Sequence, residues 1–190
     1  MTRIFIGGSR RVSRLTPSVI ARLETITAKG LSVIVGDANG ADKAVQHYFY
    51  GKKYDLVEVF CSGNLCRNNI GNWRTRHVAA ASGERGFQFY AAKDREMARE
   101  ADYGFMIWDG KSTGTLLNVV RLLRWGKKVV VYSAPDQNFA ELRGYDQWEE
   151  FIGHYSAVVR NETEQKVALE ERSFGGNEQF GSVRPRALLI

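Results

Sequence analysis

The sequence predicts an α/β fold, a mostly parallel sheet of five or six strands with helices on both faces. Three observations predict it. Short apolar runs and segments of helical periodicity follow one another from the first residues to about residue 133. The apolar runs are continuous, as expected of strands covered on both faces. Three of the runs end in glycine-containing turns that lead into a helix, the arrangement of parallel strands joined by right-handed crossovers.

Taken in order, Arg3 to Ile6 is a short strand stopped by Gly7-Gly8, and Ser9-Arg10-Arg11 form the turn. Thr16 is a suitable N-cap, and Pro17 fits the first helical position, where a missing N–H costs nothing. Val19, Ile20, Leu23 and Ile26 recur at helical spacing, and Lys29-Gly30 close that helix. Leu31 to Val35 is the second strand. The stretch VIVGDANGADKA from Val33 to Ala44 then reads as strand, tight turn and helix start, and that helix ends near Gly51. Leu56 to Phe60 is a third strand. Ser62 to Gly86, rich in Gly, Asn, Arg and Ser, reads as a long functional loop.

Phe87 to Tyr90 reads as a short strand or an aromatic packing segment, and Ala91 to Ala101 as a helix. Tyr103 to Trp108 is a strand, Thr113 to Trp125 a helix with a broad apolar face, and Lys128 to Tyr132 a buried strand. Beyond Pro135 the pattern weakens, with one more helix over Asp146 to Tyr155 and a polar chain from Arg160 onward. The expected division is a domain over residues 1–155 and a C-terminal extension or arm over 156–190, exchanged between copies in a homo-oligomer.

Of the 190 residues 44% are hydrophobic, enough for a sizeable core and against wholesale disorder. The N-terminus lacks the apolar stretch of a signal peptide, and no apolar run approaches the ~20 residues of a membrane span, so the expected location is cytoplasmic and no membrane partner is expected. The net charge of +6 is compatible with nucleic acid but equally with a pocket for phosphates. No aromatic-interleaved recognition motif accompanies the basic residues, which makes nucleic acid the less favoured partner. Cys61 and Cys66 read as a pair of reduced thiols, with metal or redox use the lesser reading. His47, His77 and His154 have no spaced partners, and neither a metal nor a cofactor is expected.

The three turns carry the chemistry. Gly110, Ser112, Thr113, Gly114 and Thr115 have the backbone amides and hydroxyls of a phosphate cradle at a helix start; the bland reading is an ordinary turn with a good N-cap. Gly8, Ser9 and Arg10 would form an opposite wall, with Arg10 on a phosphate or ribose. Gly36 and Gly40 shape the middle turn. Asp37 and Asp42 beside it could bind a ribose hydroxyl or stabilise oxocarbenium-like charge, or simply cap the helix. Trp108, at its strand end, is the better candidate to stack a base, ahead of Tyr103 and of Trp73 in the loop. In open sheets of this kind ligands sit outside the carboxyl ends of the strands, where all three turns fall.

Gly7-Gly8-Ser9-Arg10, Gly36-Asp37-Ala38-Asn39-Gly40-Ala41-Asp42 and Gly110-Lys111-Ser112-Thr113-Gly114-Thr115 occur in that order, each at a strand-to-helix junction. Together they resemble the SLOG superfamily, the DprA/Smf and Lonely Guy proteins, and within it the YspA-like branch, over roughly residues 3–133. The resemblance implies a Rossmann-like sheet and a nucleotide or nucleotide-derived ligand. Lonely Guy proteins hydrolyse the N-glycosidic bond of nucleoside monophosphates, and other members bind DNA. In this chain Asn118 stands at the position of the Lonely Guy glutamate, and an amide cannot act as a general acid or base. Asp109 is the candidate substitute. Lys93, four residues before Met97, stands in for the family arginine and keeps its charge but not its planar fork.

The favoured function is therefore the binding of a nucleotide-like small molecule in a pocket walled by the three turns. The alternative is an N-glycosidic-bond hydrolase using Asp37, Asp42 or Asp109, and the second alternative a DNA-associated protein.

Overall fold

A computed structural model describes residues 1–79 and 86–174, with side chains up to residue 171. Seven strands form one sheet: β1 (Arg3–Gly8), β2 (Ser32–Gly36), β3 (Val57–Ser62), β4 (Arg74–Val78), β5 (Tyr103–Trp108), β6 (Lys128–Ser133) and β7 (Asn138–Leu142). Their spatial order is β4-β3-β2-β1-β5-β6-β7. All neighbours pair in parallel except β6 and β7. The α/β, Rossmann-like architecture is as the sequence predicts.

The strands are apolar on both sides because both sides are covered. Phe5, Ile34, Phe60 and Met106 point to one face, where α3 (Gly86–Glu100), α4 (Thr113–Arg124) and α5 (Tyr145–Gly153) pack. Ile6, Val33, Val35, Val59 and Ile107, one residue out of phase, point to the other face and meet α1 (Pro17–Ala28) and α2 (Ala41–Gly51). This is the period-2 alternation of a strand filling two cores. At the start of α1, Thr16 caps as expected, accepting from the Val19 amide.

The two extra strands are the edges. β4 lies inside the stretch read as a loop; its sequence, RTRHV, is polar and largely exposed, so it carries no hydrophobic signal. β7 follows a tight turn after Pro135 and runs antiparallel. Residues Phe87–Tyr90, expected as a short strand or an aromatic packing segment, lie in the first turns of α3; their aromatic character is β-prone and gave no helical signal.

Residues from Ala157 form an 18-residue helix, α6 (Ala157–Phe174), where the sequence reading left a polar arm. Its described part folds back on α4 of the same chain. It is fastened by the buried Glu170–Arg121 pair and by Lys166 on Thr113, with Val159 and Val167 packed against the core, so only two valines of a mostly polar sequence marked it. The rest of the expected arm, residues 175–190, lies outside the described residues. Among the described residues no helix is long and apolar enough to cross a membrane.

Candidate functional site

The chain winds from β1 outward to β4, then returns to β5 on the other side of β1. The turns after β1 and β5 therefore diverge at their carboxyl ends, and a crevice opens between them. This is the topological switch point of an open α/β sheet, where ligands of such folds bind. A cavity of about 680 Å³ occupies it.

Of the expected site residues, Gly8, Arg10, Asp42, Lys93, Asp109, Ser112, Thr113, Gly114, Thr115 and Asn118 line this cavity. The remainder stand behind it. Ser9 is fully buried and ties the turns together. Its amide donates to the Ile107 carbonyl at 2.9 Å and its carbonyl accepts from Ala41 N at 3.1 Å, while its hydroxyl accepts from Asp109 N at 3.0 Å and pairs with Thr115 Oγ1 at 3.1 Å. Gly40, at φ +84°, is required by close approach, since a Cβ there would overlap the Arg10 carbonyl. Gly36 leaves room for the Asp42 carboxylate and the Lys93 ammonium, both of which a Cβ would meet. Gly110, at φ +82°, is backed by the Pro135 ring.

Trp108 is corrected from base-stacker to core. It is fully buried, meets Tyr155 edge-on at 4.5 Å and donates its indole N–H to the Ser112 carbonyl at 3.1 Å. Trp73 is likewise structural, donating its indole N–H to the Tyr54 carbonyl at 3.0 Å. Tyr103 is exposed at the amino end of β5, away from the cavity at the carboxyl end. The aromatics that do line the cavity are Phe5, from β1, and Phe87 and Tyr90, from the first turns of α3.

The turn between β5 and α4 organises itself before it can hold anything. Asp109 Oδ1 accepts from the amides of Lys111 at 3.0 Å and Ser112 at 2.7 Å, an Asx-type turn. Ser112 caps α4 by accepting from Thr115 N at 3.4 Å. The amides of Thr113 and Gly114, in the first turn of the helix, have no partner within it and form the positive end of its macrodipole. Lys166, from α6, reaches the same point, donating to Thr113 Oγ1 and standing 5.1 Å from the Phe87 ring centroid.

At the other wall three carboxylates surround one ammonium. Lys93 is almost wholly buried, 2.6 Å from Asp94 and 4.0 Å from Asp37. Burial would lower its pKa, but the charges of Asp94 and Asp42 and the Asp94 hydrogen bond outweigh it and raise it. Asp42, without a strong donor of its own, is pushed up to about 6 by burial, against the pull of Lys93 and with Asp94 adding to the rise. Asp37 goes the other way. Burial would raise it, but hydrogen bonds from the Arg67 side chain and amide, with the charges of Lys93 and Arg67, hold it below the ordinary carboxylate value.

Asp37 thus anchors Arg67 and does not face the cavity: Arg67 Nη2 lies 2.5 Å from Oδ1, and its Nε and amide each lie 3.1 Å from Oδ2. The Arg67 guanidinium lies over the Tyr90 ring, 4.3 Å from its centroid, and lines the cavity. Asn118 is held by its Oδ1, which accepts from Arg121. Arg121 in turn forms a buried two-bond pair with Glu170 of α6, at 2.8 and 2.6 Å. Asn118 lines the cavity.

Sequence reasoning missed Arg11, Arg67, Phe87, Tyr90, Lys111 and Lys166 as lining residues. The aromatic run at 87–90 was a usable signal. Nothing in the sequence marks Lys166, which reaches the site only because α6 folds back. The cysteines also differ from expectation: Cys61 and Cys66 are joined as a disulfide, with Cα atoms 5.2 Å apart. They and Asp37 form a group of potential metal ligands, their donor atoms within 4.8 Å of one another.

The sequence matches no protein-family model and no curated protein sequence. Among solved structures the chain is similar to DNA processing protein A from Helicobacter pylori, whose structure was described for its single-stranded DNA binding mode. The TM-score is 0.52 at 16% identity, covering 88% of this chain and 80% of that one. At this identity the likeness concerns the fold alone, and it agrees with the Rossmann-like reading of the sequence.

Proposed function

We propose that the protein binds a nucleotide by its phosphate in the crevice between β1 and β5, as a SLOG-type protein of the YspA-like branch. One observation carries the reading. Six cations, Arg10, Arg11, Arg67, Lys93, Lys111 and Lys166, line the cavity against three carboxylates, Asp42, Asp94 and Asp109. Arg67 is matched by Asp37, and Lys93 by Asp94. The excess is Arg10, whose guanidinium stands 5.4 Å from the Tyr90 ring centroid, with Arg11, Lys111 and Lys166, and Lys166 reaches Thr113 in the first turn of α4. An anion seated there would gain charge-assisted hydrogen bonds and the helix dipole together. The Asp42 side would take the neutral, hydroxyl-bearing part of the ligand, and Phe87 offers an aromatic face for a base.

Titration calorimetry with adenosine 5′-monophosphate, adenosine and inorganic phosphate tests this. The monophosphate should bind more tightly than adenosine, and Lys166→Ala should weaken it by about tenfold, as loss of one charge-assisted hydrogen bond implies. Equal affinity for adenosine and its monophosphate would refute a phosphate-led site. Asp42, a carboxyl with its pKa near 6 in the wall, is the group suited to acid–base work on the ligand. Release of free base during incubation, lost in Asp42→Asn, would turn the binding reading into the hydrolase one.

A second reading is single-stranded DNA, favoured by the likeness to a protein described as binding it. The same basic side would then hold phosphates of a strand. It predicts that an oligonucleotide binds more tightly than the mononucleotide and that its affinity falls steeply with salt.

A further inference from the structure

Cys61 and Cys66 belong to no part of the nucleotide reading, yet Cys66 adjoins the lining residue Arg67 and both sulfurs lie within 4.8 Å of the Asp37 carboxylate that holds it. Cys61 is fully buried near the end of β3, whereas Cys66 is partly exposed on the segment that follows. The next residue is Arg67, whose amide and guanidinium both grip Asp37 and whose guanidinium lies over Tyr90 in the cavity lining. The segment then continues across the middle turn. Asn68 donates to the Asp37 carbonyl at 2.8 Å, and the Ile70 amide donates to Gln46 Oε1 at 3.0 Å. Asp37 is therefore a shared neighbour, the anchor of Arg67 and a carboxylate within 4.8 Å of both sulfurs.

We propose that Cys61 and Cys66 are a reversible dithiol–disulfide site whose oxidation state sets how firmly Arg67 is held in the cavity wall. The cross-link closes a short loop and fixes the backbone one residue before Arg67, removing conformations that the reduced segment regains. Cys66, the more exposed residue of the two, is the one that exchanges first. Its thiolate attacks a sulfur of a small disulfide such as oxidised glutathione, expelling one small thiolate. The Cys61 thiolate then attacks the Cys66 sulfur of the mixed disulfide, expelling the second. Two protein thiols lose two electrons and two protons, and one small disulfide becomes two thiols. A metal ion on the same three residues is disfavoured: both Asp37 oxygens are engaged by Arg67, and the Lys93 ammonium stands 4.0 Å away.

The test uses the full chain in glutathione buffers of stepped oxidation, read by thiol alkylation with mass spectrometry and by hydrogen exchange. Both alkylation sites should disappear together, and exchange of the amides of residues 66–70 should slow by about tenfold on oxidation. Cys66→Ser should show the fast exchange in every buffer. The proposal is overturned if the two thiols do not pair, if they pair without changing exchange over residues 66–70, or if one zinc ion per chain protects both from alkylation. The effect on ligand rests on the nucleotide reading: adenosine 5′-monophosphate should bind the oxidised form several-fold more tightly, because the wall is set before binding. Equal affinity for the two forms would remove control of the cavity. Binding to neither form would refute the nucleotide reading, and the exchange measurement would still decide the redox site by itself.

Discussion

Asp42→Asn should remove one pH-dependent component of stability. In the folded chain burial lifts the Asp42 carboxyl from 3.8 to about 6, with Lys93 opposing and Asp94 reinforcing. A raised folded pKa means that the native state holds this proton more tightly than the unfolded chain does. The stabilisation it confers is full below about pH 4 and is lost as the pH rises through about 6. A rise of about two units corresponds to about 3 kcal/mol. Asp37 does not obscure this window. Its pKa is lowered, so its contribution is present above its unfolded value and disappears only as the pH falls through its lower folded value. Urea unfolding at several pH values between 4 and 7 should therefore show stability falling less steeply with pH in Asp42→Asn, by about 3 kcal/mol across the range. The same slope in both proteins would refute the reasoning. So would a carbon-detected titration of the Asp42 carboxyl with its midpoint near 4, because burial would then not be acting on that group.

Two further outcomes follow from single contacts. Glu170→Gln leaves the buried Arg121 guanidinium without its two-bond partner, which should destabilise the chain by about 3–5 kcal/mol in denaturant unfolding. The double variant Arg121→Met/Glu170→Leu should recover much of the loss, since it leaves no charge buried alone. Gly40→Ala forces a Cβ into the Arg10 carbonyl at φ +84°, and a loss of about 1–3 kcal/mol in thermal unfolding is expected; an unchanged melting temperature would mean the two turns do not pack as described.

The sequence alone determined the parts of the fold that rest on near neighbours. Mostly apolar runs gave β1, β2, β3, β5 and β6, because a strand buried on both faces is apolar at nearly every position; Glu58 in β3, paired with Arg3 and Arg76, is an exception. Glycines at Gly8, Gly36, Gly40 and Gly110 marked the turns, because their roles depend on local dihedrals or on a missing Cβ. Ten of the expected residues share one cavity, most of them in or beside those turns, with Lys93 from α3 and Asn118 from α4. Edge strands were not legible: the sequence of β4 is nearly all polar, and a strand with one free edge needs no apolar pattern. Nor was α6, which is fastened by the Arg121–Glu170 pair with only Val159 and Val167 packed against the core. Tertiary structure alone decided which residues face the ligand side. Trp108 and Ser9 had the right chemistry at the right place in the chain, but packing turned them inward. Lys166 and Arg67 were brought to the cavity wall by contacts spanning 53 and 30 residues of sequence, and no local periodicity encodes a separation of that length.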